Sequence, residues 1–422
     1  MKLGLIGKPL GHSKSPWIHK ELTGADYSLW ELRPEELDGF FAKKDFDGLN
    51  VTIPYKLKVI KYMDDLEGDA VRTGAVNTVI NRGGLLIGCN TDTAGAKYLL
   101  KSLGVPVEGK RAAVLGSGGA ARAAAEALKQ LGAEPMIVSR CPEDADDFKK
   151  IRTISYEKLY KDPRGISLLV NATPLGMSPD LDGTAADLNK LPDLEAVADV
   201  VANPLRTRLV FEAQQKGLKA AGGIRMLVAQ AFAAEELFTG KTLDPALIEK
   251  CAEKLIKTTR SIVLTGMPSA GKTTTGRLLA QNAGMPFIDM DEELEKRFGM
   301  PIAQYFSEFG EESFRAQEKL LAQELSLREG CVIATGGGTV LDPDNMRRLM
   351  ANGLAVWLDR SLPLLKASKE RPLAADKAAL EKLWAKRRGI YEKYTDTRAE
   401  ADGSPEETVR ELIKLLPEDK TC

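Results

Sequence analysis

Short apolar runs alternate along this chain with segments of helical periodicity. Each run is three to six residues long, as expected for a buried strand, and several are followed by apolar residues at helical spacing. The runs cover residues 3–6, 27–32, 48–51, 112–115, 136–138, 168–170, 262–264 and 332–334. Such alternation is typical of an α/β protein whose sheets are largely parallel.

Two of the predicted strands lead into glycine-rich turns that open directly into helical patterns. One turn reads LGSGGAARAAAEAL from Leu115, and the other reads LTGMPSAGKTTTGRLLA from Leu264. A chain of 422 residues is too long for one hydrophobic core, so we expect two or three domains. The two glycine-rich turns suggest two nucleotide sites. The seam, meaning the boundary between the two halves of the chain, is predicted near residues 257–260, and no flexible linker is visible there.

Composition narrows the classes of function. Lys and Arg total 59 against 60 for Asp and Glu, so the chain lacks the excess of basic residues that is typical of proteins that bind nucleic acid or anionic membranes. The 5 cysteines are scattered and form no CxxC pair, which argues against a disulfide framework or a zinc site. No signal peptide and no membrane-spanning run is apparent. We expect a water-soluble cytoplasmic protein, and the oligomeric state stays open.

The first turn fits a dinucleotide fingerprint of the form GxGxxA. Gly116, Gly118 and Ala121 supply the pattern, in which the glycines let backbone amides approach a pyrophosphate. A tight turn without a ligand is the alternative. Arg140 follows the next predicted strand, where a site for NAD would carry an acid, and favours the 2′-phosphate of NADP. A solvated surface arginine is the competing interpretation.

Six further segments are polar and lie beside glycines, prolines or strand ends. They read GKPLGHSKSPWIHK, NVTIPYK, GAVNT, NTD, NATPLGM and GGIRMLVAQA, in that order. Together they resemble shikimate dehydrogenase over residues 1–255. The resemblance implies a mixed-sheet substrate lobe, formed by residues 1–93 and 222–255, and a Rossmann NADP lobe between them at residues 94–221.

The resemblance also implies roles for individual residues. Lys56 and Asp92 would be the catalytic pair, with Lys56 giving a proton to the alkoxide that forms when NADPH reduces 3-dehydroshikimate. Ser13, Ser15, Asn50, Thr52, Asn77, Asp92 and Gln230 would hold the substrate. Residues Gly116, Ser117, Gly118, Gly119, Ala120, Arg140 and Gly223 would bind the cofactor.

The second turn matches the P-loop pattern GxxxxGK[ST] through Gly266, Gly271, Lys272 and Thr273. In this motif the loop amides cradle phosphates, the lysine reaches the β and γ oxygens, and the Thr hydroxyl binds Mg²⁺. A chance glycine turn is the alternative. The nucleotide-binding residues predicted here are Gly266, Ser269, Ala270, Gly271, Lys272, Thr273 and Thr274.

The segments FIDMDEEL, EESFRAQE, ATGGGTV, ERPL and RRGIYEKY follow the P-loop. Asp289 and Asp291 could lie on an extended chain that follows the predicted strand, although they could instead be a charge pair at a helix start. Arg315 and Glu318 lie three residues apart on a predicted helix and could be a surface ion pair.

Together these segments resemble shikimate kinase from residue 258 to about residue 415, within a predicted P-loop domain of residues 258–422 that has a parallel sheet. The resemblance implies that Asp291, Arg315, Gly337 and Arg387 hold shikimate, with Asp291 accepting the proton of the attacked hydroxyl. Thr273 and Asp289 would hold Mg²⁺. Lys272 and Arg371 would stabilise the transferring phosphoryl group of ATP.

The resemblances imply a bifunctional enzyme that reduces 3-dehydroshikimate with NADPH and then phosphorylates shikimate with ATP. One alternative is an NAD-dependent quinate/shikimate-type dehydrogenase fused to a kinase for another polyol. A second is a dehydrogenase-like half that only binds or regulates, which Ala202, in place of the family's usual Tyr, and the altered turn after Arg140 would favour.

Overall fold

The computed structural model describes residues 1–11, 13–145, 151–366 and 376–415. The chain forms two compact units, Met1–Glu253 and Lys254–Cys422. The first unit contains two sheets and the second contains one.

The first sheet is mixed and has six strands in the order β2-β1-β3-β5-β6-β4. Strand β5 runs antiparallel to both β3 and β6, whereas β1 pairs in parallel with β2 and β3. The elements of this region are β1 (Leu3–Gly7), α1 (Ser15–Thr23), β2 (Tyr27–Glu31), α2 (Leu37–Lys43), β3 (Gly48–Val51), β4 (Asp65–Leu66), α3 (Asp69–Thr73), β5 (Thr78–Arg82), β6 (Leu85–Cys89) and α4 (Asp92–Ser102).

The second sheet is parallel, with the order β12-β11-β10-β7-β8-β9. Its elements, followed by the two helices that end the unit, are β7 (Arg111–Leu115), α5 (Gly119–Gln130), β8 (Glu134–Ser139), β9 (Thr153–Ser155), α6 (Tyr156–Lys161), β10 (Ile166–Asn171), β11 (Ala196–Asp199), α7 (Arg208–Gln215), β12 (Lys219–Ala221), α8 (Ile224–Thr239) and α9 (Ala246–Thr259). The chain builds outward from β7 in one direction and from β10 in the other. The gap between these two strands is therefore the switch point at which parallel sheets bind ligands.

Helix α8 returns to the first sheet after the second sheet is complete. Ala234 and Phe238 on this helix pack against Leu3, Ile80 and Ile87 of the first sheet. Apolar packing therefore brings a C-terminal helix of the unit back to its N-terminal strands.

The second unit has a five-stranded parallel sheet in the order β14-β15-β13-β16-β17. Its elements are β13 (Ser261–Thr265), α10 (Lys272–Ala283), β14 (Phe287–Asp289), α11 (Met290–Phe298), α12 (Ile302–Leu325), β15 (Val332–Ala334), α13 (Pro343–Asn352), β16 (Gly353–Asp359), α14 (Lys377–Lys393), β17 (Thr397–Glu400) and α15 (Pro405–Ile413). Strand β13 lies in the centre of this sheet and leads into the second glycine-rich turn.

The predicted fold class is confirmed, and all eight strands predicted from the apolar runs are present, with ends that differ by no more than two residues. The division of the chain falls inside α9, a few residues before the predicted seam. In the part of the chain that the structure describes, no helix is both long enough and apolar enough to cross a membrane.

Two candidate active sites

The centre of the first site is an ion pair between Lys56 and Asp92. The Lys56 ammonium donates to Asp92 Oδ2 at 2.5 Å, and the side chains are 18% and 7% exposed. Asp92 is the first residue of α4, where a helix start favours a negative charge. A largely desolvated ammonium is thus fixed at the mouth of the site by one carboxylate oxygen.

The second oxygen of Asp92 belongs to an amide network. Asn77 donates through Nδ2 to Asp92 Oδ1 at 2.9 Å and lies 3.4 Å from Gln230 Oε1. Asn50 donates to the backbone carbonyl of Asn77 and to the hydroxyl of Thr78. The structure therefore brings five predicted residues of the first unit, including Lys56, into one connected cluster.

The remaining predicted substrate residues lie near β1. Ser13 Oγ accepts the backbone N–H of Ser15 at the start of α1, and Ser15 is buried. Thr52 follows β3, donates its backbone N–H to Ile6, and packs its methyl group against Gly7. These side chains lie at the ends of neighbouring strands, without a direct bond to Lys56 among the contacts described.

The predicted dinucleotide turn lies beside this cluster. Gly116 has a φ of 111°, which a residue with a side chain rarely adopts, and Gly118 caps α5. A Cβ at Gly119 would lie 3.3 Å from Lys56 Cδ, so the turn is close to Lys56. Ser117 and Gly118 are exposed there, and Ala120 is half-buried in the first turn of α5.

Two other predicted cofactor residues frame the same turn. Arg140 is exposed directly after β8, the strand beside β7. Gly223 caps α8 so close to the backbone of Val200 and Val201 that no side chain would fit. Arg140 is therefore accessible to a ligand that lies across the carboxyl ends of β7 and β8.

A buried carboxylate that the sequence did not reveal organises the opposite edge of the turn. Asp199, at the end of β11, accepts bonds from Asn171 Nδ2, the N–H of Val201 and the Thr207 hydroxyl. Burial raises the pKa of Asp199 to about 6, although these three donors act to lower it. The residue holds together the loops that follow β10 and β11.

A second buried group was also missed. Tyr27 donates to Asn50 Oδ1 at 2.7 Å and stacks on His19 with ring centroids 4.0 Å apart. His19 in turn contacts Glu235 on α8 at 2.5 Å, with both side chains almost fully buried. The feature of the sequence that could have indicated this cluster is an acidic residue, Glu235, within the apolar pattern of α8. This cluster fixes the Asn50 side chain through the Tyr27 hydroxyl.

The second site is built on the P-loop between β13 and α10. Gly266 and Gly271 have φ values of 143° and 94°, and Ser269 has an unusual positive φ of 66°. The Lys272 ammonium folds over the loop and donates to the carbonyls of Gly266 and Met267 at 2.9 and 3.0 Å. Ala270 is buried beneath the loop, and Thr273 and Thr274 are exposed at the start of α10.

The two predicted metal ligands are in contact. Thr273 donates its hydroxyl to Asp289 Oδ2 at 2.7 Å. Asp289 Oδ1 accepts the N–H of Asp291 and caps α11. The extended-chain interpretation of Asp289 and Asp291 was wrong, and the alternative of charges at a helix start is confirmed, because Asp289 is the N-cap of α11 and Asp291 lies in its first turn. Asp291 is helical, because the cap bond ends the strand at Asp289.

Three consecutive glycines after β15 bring the other predicted residues together. A Cβ at Gly336 would lie 2.7 Å from Asp291 Oδ1, and one at Gly338 would lie 2.5 Å from Arg315 Nη2. The carbonyl of Gly337 accepts a bond from Arg387 Nη1 at 2.9 Å. Side chains at these positions would fill the space between an acid and two guanidinium groups.

The idea that Arg315 and Glu318 form a surface ion pair was wrong. The Glu318 side chain is only 2% exposed, and its Oε2 accepts from Arg315 Nη1 at 2.8 Å. Its Oε1 accepts the Thr339 hydroxyl at 2.7 Å. Burial alone would lower the pKa of Arg315, but Glu318 and Glu311 raise it above its usual value.

Arg387 is the more buried of the two arginines. It is 3% exposed, and its Nε has no hydrogen-bond partner among the residues described. A buried guanidinium with an unused donor is suited to an anionic ligand. The predicted Arg371 lies outside the described residues.

Comparison with known families gives two matches on this chain. Residues 5–79 match a family described as the shikimate dehydrogenase substrate binding domain. Residues 268–417 match a family described as shikimate kinase.

Individual relatives match the first part of the chain over nearly their whole length. A shikimate dehydrogenase (NADP(+)) of Thermus thermophilus is 38% identical over 268 residues, covering 61% of this chain and 99% of the relative. The corresponding protein of Symbiobacterium thermophilum is 39% identical over 262 residues, covering 57% and 89%.

Solved structures give the same picture. A shikimate 5-dehydrogenase of Thermus thermophilus, in complex with NADP(H) and shikimate, has a TM-score of 0.55 and 35% identity, covering 60% of this chain and 99% of that one. A chorismate mutase/shikimate 5-dehydrogenase fusion protein from Clostridium acetobutylicum has a TM-score of 0.55 and 34% identity, covering 60% and 96%. The latter is a dehydrogenase of this kind joined to a second enzyme.

Replacing Asp199 by asparagine is expected to change how stability depends on pH. The folded pKa of about 6 exceeds the ordinary value of 3.8, so the folded state binds this proton more tightly. The stabilising contribution is full below pH 4 and is lost as the pH rises through 6. The D199N protein lacks this dependence, so its stability relative to the parent should rise by about 1 kcal/mol from pH 5 to 7.5.

Calorimetry of the full chain at pH 5 and at pH 7.5 measures this difference in stability. The unfolding transition to compare is the one whose midpoint NADP⁺ shifts. A stability difference that stays constant with pH would contradict the assignment of a raised pKa to Asp199.

Proposed function

The chain belongs to the shikimate dehydrogenase family, and because a shikimate kinase segment follows in the same polypeptide, we propose how its two sites divide the work of a bifunctional shikimate-pathway enzyme. The first unit reduces 3-dehydroshikimate to shikimate with NADPH. The second unit transfers a phosphoryl group from ATP to shikimate, giving shikimate 3-phosphate.

The observation that carries the proposal is the presence of two complete charge arrangements in one chain. Lys56 and Asp92 lie beside the dinucleotide turn at Gly119. Arg315 and Arg387 flank the glycines that follow β15. The first arrangement suits reduction of a carbonyl, and the second suits phosphorylation of an anionic alcohol.

In the reductive step, Lys56 acts as the general acid. NADPH, when bound at the Gly116 to Gly119 turn, supplies the hydride that goes to the ketone carbon. The Lys56 ammonium gives its proton to the oxygen as negative charge develops there, a role typically worth ~10²–10⁴-fold in rate. Asp92 keeps that ammonium in place through the 2.5 Å ion pair.

The substrate is held by neutral polar groups. Asn50, Asn77 and Gln230 present amides from the connected network. Ser13 and Ser15 present hydroxyls from the start of α1, and Thr52 presents one from the end of β3. Amides and hydroxyls both donate and accept, so they suit a ring that carries several hydroxyl groups. The bonds of Asn77 to Asp92 and Thr91 fix the orientation of its amide.

Use of NADP is supported by the names of the relatives, and Arg140 is the residue we propose for its 2′-phosphate. Arg140 follows the strand next to β7, where the ribose of a dinucleotide lies in this fold. Ser117, Gly118, Ala120 and Gly223 complete the cofactor site.

In the phosphoryl transfer step, the residues act by position and charge. Asp291 accepts the proton of the attacked hydroxyl, and the two arginines bind the carboxylate of shikimate. Lys272 leaves the Gly266 and Met267 carbonyls to meet the β and γ phosphates. The amides of the loop from Ser269 to Thr274 cradle the phosphates, and Arg371 is assigned its role only by resemblance.

Thr273 and Asp289 fit a magnesium ion. Their oxygens are 2.7 Å apart at the start of α10, and Mg²⁺ prefers a few hard oxygen ligands with the remaining positions filled by water and phosphate. Mg²⁺, when bound, neutralises charge on the phosphates. Asp289 would ligate it through Oδ2 while its Oδ1 continues to cap α11.

The alternative of a non-catalytic dehydrogenase-like half is less well supported. Ala202 lacks the hydroxyl that the family's usual tyrosine would provide, but the Lys56–Asp92 pair and its amide support are intact. We also propose the domain bounds given by the sequence, with lobes 1–93 plus 222–255 and 94–221, and a kinase domain 258–422. A cytoplasmic location is consistent with Cys89, Cys141 and Cys331, which carry thiols and form no disulfide in the described part of the chain.

Purified protein supplied with 3-dehydroshikimate, NADPH, ATP and Mg²⁺ is expected to form shikimate 3-phosphate. The K56A variant should lose at least 10²-fold in NADPH oxidation yet still phosphorylate added shikimate, because its general acid is gone. The K272M variant should oxidise NADPH and accumulate shikimate. Product analysis by mass spectrometry measures both, and a parent protein that phosphorylates shikimate without oxidising NADPH would favour the binding-module alternative.

Removing the Arg140 side chain should weaken the preference for NADPH. The R140A variant loses a charge-assisted bond to the 2′-phosphate, so its KM for NADPH should rise about tenfold while that for NADH stays unchanged. R164A is the matched control, because Arg164 is an exposed arginine that precedes β10 at the opposite end of the same sheet. Equal effects of both substitutions would argue against the assignment.

Neutralising Glu318 should impair shikimate binding in the kinase reaction alone. In E318Q, Arg315 loses its buried anionic partner, so the KM for shikimate should rise about tenfold with little change in the KM for ATP. In E311Q the lost partner is half-exposed, so an effect below about twofold is expected. Steady-state kinetics compare the two variants in the kinase reaction without NADPH and in the dehydrogenase reaction with NADPH. A larger effect in E311Q would contradict this role of Glu318.

A further inference from the structure

The hydroxyl of Tyr391 lies between the two loops of the second site. It is 2.6 Å from the carbonyl oxygen of Gly337 and 3.0 Å from that of Gly266. Tyr391 is on α14, is 1% exposed, and its ring stacks against Trp357 of β16. One fixed side chain therefore touches both the first glycine of the P-loop and the middle glycine of the turn after β15.

A phenol has one proton and can make one full donation at a time. Burial raises the pKa of Tyr391 to about 12 even though Arg387 acts to lower it, so the hydroxyl keeps its proton at neutral pH. Two acceptors therefore compete for one donor.

Each of these acceptors has a second donor of its own. The Lys272 ammonium lies 2.9 Å from the Gly266 carbonyl, and Arg387 Nη1 lies 2.9 Å from the Gly337 carbonyl. The result is a continuous chain of hydrogen bonds that runs from Lys272 to Arg387 through the Tyr391 hydroxyl.

Nucleotide phosphates would draw the Lys272 ammonium away from Gly266. Because a buried carbonyl without a donor is costly, the Tyr391 proton then turns to Gly266. The Gly337 carbonyl is left to Arg387 alone, which strengthens that bond and holds the guanidinium in one orientation. Its other nitrogens are then already aligned for a carboxylate, so less freedom is lost on binding.

We propose that Tyr391 is a positioning residue that couples the two substrates of the kinase unit, so that nucleotide at the P-loop strengthens binding of the polyol acid at Arg387. Thermodynamic linkage requires the same factor in the reverse direction. The inference rests on the proposed kinase function and adds a residue that touches neither reacting atom.

The test compares the full-length parent with Y391F in initial-rate measurements over a grid of ATP and shikimate concentrations. No nicotinamide is added, so the first unit cannot turn over. In the parent, saturating shikimate should lower the apparent KM for ATP. In Y391F this coupling factor should fall about fivefold, the factor that corresponds to one neutral hydrogen bond, while kcat is largely retained.

Y394F is the matched control. Tyr394 is buried at the end of the same helix, and its hydroxyl makes no hydrogen bond among the contacts described. Its removal should leave the coupling factor at the parent value, whereas an equal loss in both variants would overturn the role of Tyr391.

Other outcomes separate this inference from the function itself. A parent that phosphorylates no shikimate contradicts the proposed function. A parent that phosphorylates shikimate without coupling, or a Y391F protein with unchanged coupling, overturns only the role of Tyr391. If Y391F proves inactive, the effect of shikimate on binding of Mg-ADP is measured by calorimetry. Loss of ADP binding there would show a structural role instead.

Discussion

Both candidate sites depend on a buried carboxylate that holds a cation. Asp92 accepts Lys56 on one oxygen and Asn77 on the other. Glu318 accepts Arg315 on one oxygen and the Thr339 hydroxyl on the other. A buried charge is tolerated only when it is paired and fully hydrogen-bonded, and the neutral second donor satisfies that requirement without cancelling the charge. The cation is thereby fixed in direction and keeps donors for a ligand.

Sheet topology explains why these pairs lie beside the two glycine-rich turns. In each unit a central strand of a parallel sheet, β7 or β13, ends in a glycine turn that starts a helix. Helix starts attract anions, and glycines let ligand and side chains come close to the backbone. The neighbouring strands β10 and β15 then bring further loops to the same edge. The loop after β10 contacts the first turn at Gly116, and the glycines after β15 pack against Pro268 of the P-loop.

Local sequence was enough to predict the strands and both glycine turns, because these depend on spacing within a short segment. The pairing of Lys56 with Asp92, which lie 36 residues apart, was implied only by the family resemblance. Burial across long separations could not be predicted in this way. A surface position for Glu318 could not be ruled out from the sequence, because periodicity gives a helix face but does not say what covers it. The extended-chain interpretation of Asp291 overlooked a local signal, because Asp289 is an N-cap residue whose side chain accepts the N–H of Asp291. Asp199 and Tyr391 have ordinary surroundings in sequence, and only packing shows that each joins two loops.

The proposed functions require one ring acid to be recognised twice by different chemistry. In the reductive site, the side chains proposed to hold the substrate are neutral hydroxyls and amides, and Lys56 is the cation proposed for the reacting oxygen. A strong guanidinium near the carboxylate there would compete with the ion pair of Asp92. In the phosphoryl transfer site, the acceptor must approach an ATP that already carries several negative charges. Two arginines compensate the acceptor's carboxylate, so electrostatic repulsion between the two substrates is reduced before the reacting atoms meet.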